Sequence, residues 1–330
     1  MIMPSSSPIT EADLSRFDED GFVIIRGLLE PERDFAPVVA EYETVLSELV
    51  DHWIAQGHLD HAHAGLPFTE RLHRTVTESR QPYDLAMDIS LPQANIQTDT
   101  PMHHGPAVFG LLTHPLLLDS VEQFIGPEIY SNPVQHTRIK LPERSLPSAA
   151  RTGLTSRIAW HQDQGVITAD ADHCHILTVW FPITEADVEN GCLAVVPGSH
   201  HRNLVTHCEN TDPLALGQVS IPEPLVEPNQ VPLPMVPGDV LFMTSRTQHS
   251  GLPNCSDRVR WSFDLRYQPI GEPTGREWFP GFVARSRANP QSVLNDPAEW
   301  AESWKTARAH LATDDNVRFN RWSGDSPYCA

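Results

Sequence analysis

The chain has 330 residues, 40% of them hydrophobic, which supplies a sizeable core and excludes a disordered chain. Its 43 acidic against 23 basic residues give a formal charge of −20, which argues against a nucleic-acid or anionic-membrane partner. No stretch approaches the roughly 18 apolar residues of a membrane span, and the first residues lack a basic region followed by an apolar run, so no signal peptide is expected.

Thirty prolines favour strand edges and ordered loops over long helices. The five cysteines (Cys174, Cys192, Cys208, Cys255 and Cys329) show no Cys-x-x-Cys pair, so reduced thiols in the cytoplasm are expected. In chain order, Thr10 reads as the cap of a short helix that runs through Phe17 and breaks at Gly21, before a buried strand Phe22–Ile25. Helical spacing of Phe35, Val38, Tyr42, Val45, Leu46 and Leu49 predicts a core-facing helix over 32–54. The histidine-rich, proline-interrupted stretch 55–110 reads as solvated loop, and 114–125 as a helix ended by Gly126.

From residue 129 the pattern turns to strands. In 135–141, His136, Arg138 and Lys140 share one face; residues 142–157 read as a loop. Next comes Trp160-His161-Gln162-Asp163-Gln164, where strand alternation would set His161 and Asp163 side by side. An imidazole and a carboxylate so placed chelate a divalent metal but need a third ligand, and His249 is the best candidate. Two histidines and one carboxylate with open positions form the facial triad of non-haem Fe(II) oxygenases.

Strands follow at 176–182 and 192–197, joined by the turn signal Asn190-Gly191; then come a loop over 203–235 and a strand 240–243. In 258–266 one face carries Arg258, Arg260, Ser262, Asp264 and Arg266. That face fits either solvent or the lumen of a polar barrel, where an arginine would anchor a carboxylate through its fork. A metal triad with an arginine one strand later is what a 2-oxo acid cosubstrate needs. A helix is expected over 299–311; the tail from 318 carries no signal. Without repeat or linker, one domain is expected: helical support and lid (1–128), β core with the metal site (129–270) and a C-terminal extension (271–330).

Several segments together resemble the phytanoyl-CoA dioxygenase family of Fe(II)- and 2-oxoglutarate-dependent oxygenases, which includes ectoine hydroxylase. They are Phe17–Gly27, Trp160–Asp163, Asn190–His200, Pro237–Asp239, and His249 with Arg260 eleven residues on. The resemblance implies a double-stranded β-helix (jelly roll) with flanking helices, with His161, Asp163 and His249 as iron ligands and Arg260 as the 2-oxoglutarate anchor. It implies further that His136 and Lys140 approach the cosubstrate or substrate and that Trp180 lies near 2-oxoglutarate. Thr178 and Ser262 complete the expected cofactor-binding set. Stretch 55–110 is expected to cover the mouth of the site. A carboxylate at position 163, where related halogenases carry a small residue, points to hydroxylation of a small molecule with O2, yielding succinate and CO2. The rivals are a zinc or manganese barrel without oxygenase activity and a catalytically silent binding protein.

Overall fold

The computed structural model describes residues 8–210, 218–314 and 317–329. The expectations for the N-terminal residues 1–7, and for 211–217 within the loop 203–235, lie outside them. Seven α-helices are described: α1 (Glu11–Asp20), α2 (Ala36–Ala55), α3 (Phe68–Ser79), α4 (Asp84–Met87), α5 (Pro106–Leu112), α6 (Pro115–Ile125) and α7 (Pro297–Leu311). Twelve strands accompany them: β1 (Phe22–Ile25), β2 (Ile129–Lys140), β3 (Ile158–His161), β4 (Leu177–Pro182), β5 (Leu193–Val195), β6 (Cys208–Glu209), β7 (Val219–Ser220), β8 (Val231–Leu233), β9 (Val240–Thr244), β10 (His249–Gly251), β11 (Arg260–Pro269) and β12 (Phe282–Arg285).

The strands form two main antiparallel sheets, ordered β1-β9-β4-β11-β2-β12 and β3-β10-β5-β8, with β6-β7 as a separate hairpin. This is the expected double-stranded β-helix. Alternation sends Trp261, Phe263, Leu265 and Tyr267 of β11 to the helical side, where Tyr42 of α2 meets Trp261 at 4.9 Å between ring centroids. The helical spacing in α2 does what it predicted: Val38, Tyr42, Leu46 and Val50 are fully buried. Polar β11 residues point the other way, into the barrel.

α1 begins with Thr10 and Asp13 in a reciprocal capping box and ends at Gly21, whose φ of +82° is open to glycine. A Cβ at Gly21 would stand 2.5 Å from Thr247 Oγ1, so the glycine also lets α1 close against the strand pair that carries His249.

The histidine-rich stretch departs from the loop expectation by folding as α3, α4 and α5. Two of its histidines serve packing: His103 pairs with Glu41 at 2.8 Å, and His104 stacks on Trp304 at 4.8 Å. Glu41 also accepts from the Ala107 and Val108 amides, which anchors the first turn of α5 to α2. The expected strand through Asp163 is also corrected. β3 stops at His161, and residues 163–166 form a tight 3-10 turn.

The third correction concerns the thiols. Cys208 and Cys329 form a disulfide across 121 residues of sequence, while Cys174, Cys192 and Cys255 are free. Spacing alone conceals such a pair, because it is the fold that brings the C-terminal tail back to the β6-β7 hairpin.

Candidate metal and cosubstrate site

β10 lies between β3 and β5, in a register that sets His249 directly opposite His161. Their rings are 4.1 Å apart, and both Nε2 atoms face the same carboxylate oxygen, Asp163 Oδ1, at 3.6 Å from His161 and 3.8 Å from His249. His161 Nδ1 donates to Ala159 O at 2.9 Å and His249 Nδ1 to Thr247 O at 3.0 Å. Each bond spends the Nδ1 proton on a backbone carbonyl and leaves the Nε2 lone pair free for a metal. Burial, and then the neighbouring His161, push His249 down to about 4, which keeps its imidazole neutral.

Asp163 is held from both sides. Oδ1 accepts from Arg266 Nη2 and Oδ2 from Thr178 Oγ1. Burial works against the ionised carboxylate, but the Arg266 charge and the two histidines hold its carboxyl well below the usual range. The three ligand atoms lie within 4.8 Å of one another. Two imidazoles and one carboxylate, with no fourth protein ligand among the described residues, suit Fe(II) with positions left open.

Deeper along β11, the register pairs Arg260 with Lys140, Ser262 with Arg138 and Asp264 with His136. Arg260 is fully buried. Its Nη1 donates to Ser262 Oγ and its Nε to Gly191 O at 3.2 Å, but Nη2 has no hydrogen-bond partner. Trp180 lies under the guanidinium at 5.8 Å. Among the described residues Lys140 Nζ, also fully buried, donates only to the carbonyls of Gly251 and Leu252. Burial pushes Arg260 down to about 9 and Lys140 well below its ordinary value. Two buried cations with no acidic partner among the described residues, one with an idle N–H, fit the carboxylate of a 2-oxo acid.

His161 and Arg266 also line a cavity of about 480 Å³. Its wall includes Leu85, Leu91, Val134, Leu154 and Ile158, with His136, Arg138, Asp84 and Asp88 among its polar groups. His136 pairs with Asp88 at 2.7 Å, and Arg138 touches little beyond Gly153 O at 3.4 Å and Asp264 at 3.9 Å. Residues 82–94 form one side of this cavity, so the histidine-rich stretch does reach the site.

The structure thus brings together His161, Asp163 and His249, sets Arg260, Ser262, Lys140 and Trp180 around one buried position, and puts His136 on the cavity wall. Thr178, expected at the cosubstrate, instead meets the metal ligand Asp163. Arg266 was left open by the strand pattern and proves to be the ion-pair partner of Asp163; only its position opposite Thr178 in the register reveals this.

The phytanoyl-CoA dioxygenase family model matches residues 17–262. The 1-deoxypentalenic acid 11-beta-hydroxylase of Streptomyces exfoliatus is 27% identical, over 79% of this chain and 82% of its own. Phytanoyl-CoA dioxygenase domain-containing protein 1 of Bos taurus is 20% identical over 82% of this chain and 93% of its own. Among solved structures, the non-heme monooxygenase ThoJ aligns at 18% identity over 90% of this chain and 96% of its own, with a TM-score of 0.55. EvdO2 from Micromonospora carbonacea var. aurantiaca, complexed with 2-oxoglutarate, aligns at 20% identity over 82% and 94%, with a TM-score of 0.51. Both share the fold. With three quarters of its length matched and the His-Asp-His triad assembled, the chain belongs to the phytanoyl-CoA dioxygenase family and is an Fe(II)- and 2-oxoglutarate-dependent dioxygenase.

Proposed function

We propose that His161, Asp163 and His249 hold the ferrous iron and that Arg260, with Ser262, clasps the distal carboxylate of 2-oxoglutarate. Lys140 and Trp180 complete that pocket, and a small metabolite or natural-product intermediate in the adjoining cavity is hydroxylated. The observation that carries this reading is the idle, buried Nη2 of Arg260, one strand after a triad whose Nε2 lone pairs are free. When bound, iron and the 2-oxo acid supply the oxidising chemistry, consuming O2 and releasing succinate and CO2. The protein's part is to orient and to exclude water. Asp163 stays ionised because Arg266 and Thr178 hold it. The apolar wall around Leu85, Leu91 and Ile158 keeps bulk water from the reacting carbon, and His136 and Arg138 orient the substrate's polar groups.

The apolar wall supports a compact scaffold as substrate, and the net charge of −20 weighs against a bulky polyanion such as a CoA ester. The hydroxylase from Streptomyces, named for a small carboxylic acid, is in keeping with this. We read the chain as one domain, supported by a main core that runs from Ile9 to Phe319. No helix among the described residues is long and apolar enough to cross a membrane. The cytoplasm is the compartment we propose, where ferrous iron stays reduced and the Cys208–Cys329 disulfide would open and close with the redox state rather than persist as a fixed staple.

The test is succinate formation from 2-oxoglutarate in air. It should require Fe(II), stop when Zn(II) replaces it, and fall by at least about 100-fold, or about 2.7 kcal/mol, in His249→Ala. Full turnover in His249→Ala would sink the ligand assignment.

A further inference from the structure

The turn that carries Asp163 is gripped from outside by two parts of the chain that the reaction does not use. His207 is fully buried, and its Nε2 accepts from the amide of Gln162, between the two metal ligands, at 2.9 Å. Its Nδ1 donates to Val205 O at 2.9 Å, so both ring nitrogens are committed. The imidazole packs so closely on Gly165 that a Cβ there would stand 2.2 Å from its Cε1. From the C-terminal tail, Trp322 stacks on His207 at 5.3 Å and 19°, while its Nε1 donates to Gly165 O at 2.6 Å. Arg321 donates to Ile167 O at 3.0 Å and Thr168 O at 2.9 Å and pairs with Asp172. Asn320 reaches the cavity wall.

Beyond Trp322 the tail makes only local hydrogen bonds among the described residues, Cys329 N to Ser326 O and Tyr328 N to Ser326 Oγ. What fastens it is the bond from Cys329 to Cys208, the residue next to His207. Cys208 opens the hairpin whose far side supplies Gln218 and Val219 to the same cavity.

We propose that His207 and Trp322 are positioning residues for the metal centre, holding the 162–165 turn that presents Asp163, and that the Cys208–Cys329 disulfide latches them in place. The inference rests on the metal reading of the triad. Opening the latch is a two-electron reduction. A water-soluble phosphine takes the oxygen of one water to become its oxide; the S–S bond breaks, and each sulfur leaves as a thiol carrying one of that water's protons. The chain then remains folded around its core, but the tail no longer clamps the turn, and Asp163 is held only from within by Arg266 and Thr178. Outer partners of metal ligands change affinity by about 10–100-fold when removed.

The experiment titrates metal-free protein with Co(II) under argon, reading the visible d–d bands for ligand geometry and the titration for affinity. Phosphine-reduced wild type and Cys329→Ser should bind at least about tenfold more weakly than the oxidised protein, and Cys329→Ser should not respond to phosphine. Trp322→Phe keeps the ring but loses the donor, and should also weaken binding and shift the bands. Tyr328→Ala, an exposed change on the same tail, should leave both unchanged. Near-UV circular dichroism of the reduced wild type confirms that the fold persists, so the answer does not depend on any variant folding. Unchanged affinity and bands in reduced wild type and Trp322→Phe would overturn the inference alone. Oxidised wild type that took up no cobalt would overturn the metal reading and the inference with it.

Discussion

Asp163 must be ionised while almost completely buried, a state that costs several kcal/mol unless it is compensated. Arg266 compensates its charge and Thr178 fixes its second oxygen. Thr178→Val should therefore weaken Fe(II) binding by about 10–100-fold, with Thr178→Ser restoring it; equal affinity in all three proteins would assign Thr178 to packing alone. The triad was legible in the sequence because residue type and order mark it. The strand pattern alone did not separate the roles of the three arginines, and Arg260 was singled out only by the family resemblance. In the sequence Arg258, Arg260 and Arg266 alternate identically, and depth separates them: Arg258 pairs with Glu185 and Asp187 at the exposed rim, Arg260 lies buried against Ser262 and Gly191, and Arg266 meets Asp163.

At the level of elements, periodicity spoke where one face is apolar. α2 and β11 both follow their spacing, and the two pack on each other through Tyr42 and Trp261. Leu46→Ala, at a fully buried position of α2, should cost about 2–5 kcal/mol, read as a lower urea midpoint with unchanged slope. A loss below about 0.5 kcal/mol would mean that α2 does not anchor the sheet. The helices α3 to α5 were hidden because prolines flanking them (Pro67, Pro82, Pro92 and Pro101) cut the stretch into short pieces, although α3 itself has no proline and its Leu72 and Val76 are fully buried. The metal turn was misread as strand for a related reason. Convergence of His161 and Asp163 comes from a tight turn after β3, and strand alternation would have suggested the same neighbours.

Across the whole molecule, net charge and local charge disagree. A chain of −20 encloses Lys140, Arg260 and Arg276 as buried cations, so the global balance weighs against a bulky polyanion approaching from solvent but not against a single carboxylate held inside. The disulfide is likewise a property of the fold, joining positions 121 residues apart. Acid stability is a third such property. Burial pushes His104 and His207 from 6.5 down to about 3. Below pH 6.5 the unfolded chain takes up protons that the folded chain refuses, so stability falls as pH drops toward 3, by at most about 1.4 kcal/mol per histidine per unit. The unfolding temperature should decline between pH 6.5 and 5, and His104→Gln should flatten the decline. A flat profile in wild type would show that neither histidine is held neutral by the fold.

The central claim, that the triad and Arg260 together bind iron and 2-oxoglutarate, is tested most directly without any substrate. Metal-free protein is titrated anaerobically with Fe(II) and then with 2-oxoglutarate, and the weak visible metal-to-ligand charge-transfer band is followed. The band should appear in wild type and be absent in Arg260→Ala at the same 2-oxoglutarate concentration, because the idle guanidinium N–H is the proposed partner of the distal carboxylate. Iron demonstrably bound with no band in wild type, or a band of equal strength in Arg260→Ala, would contradict the account.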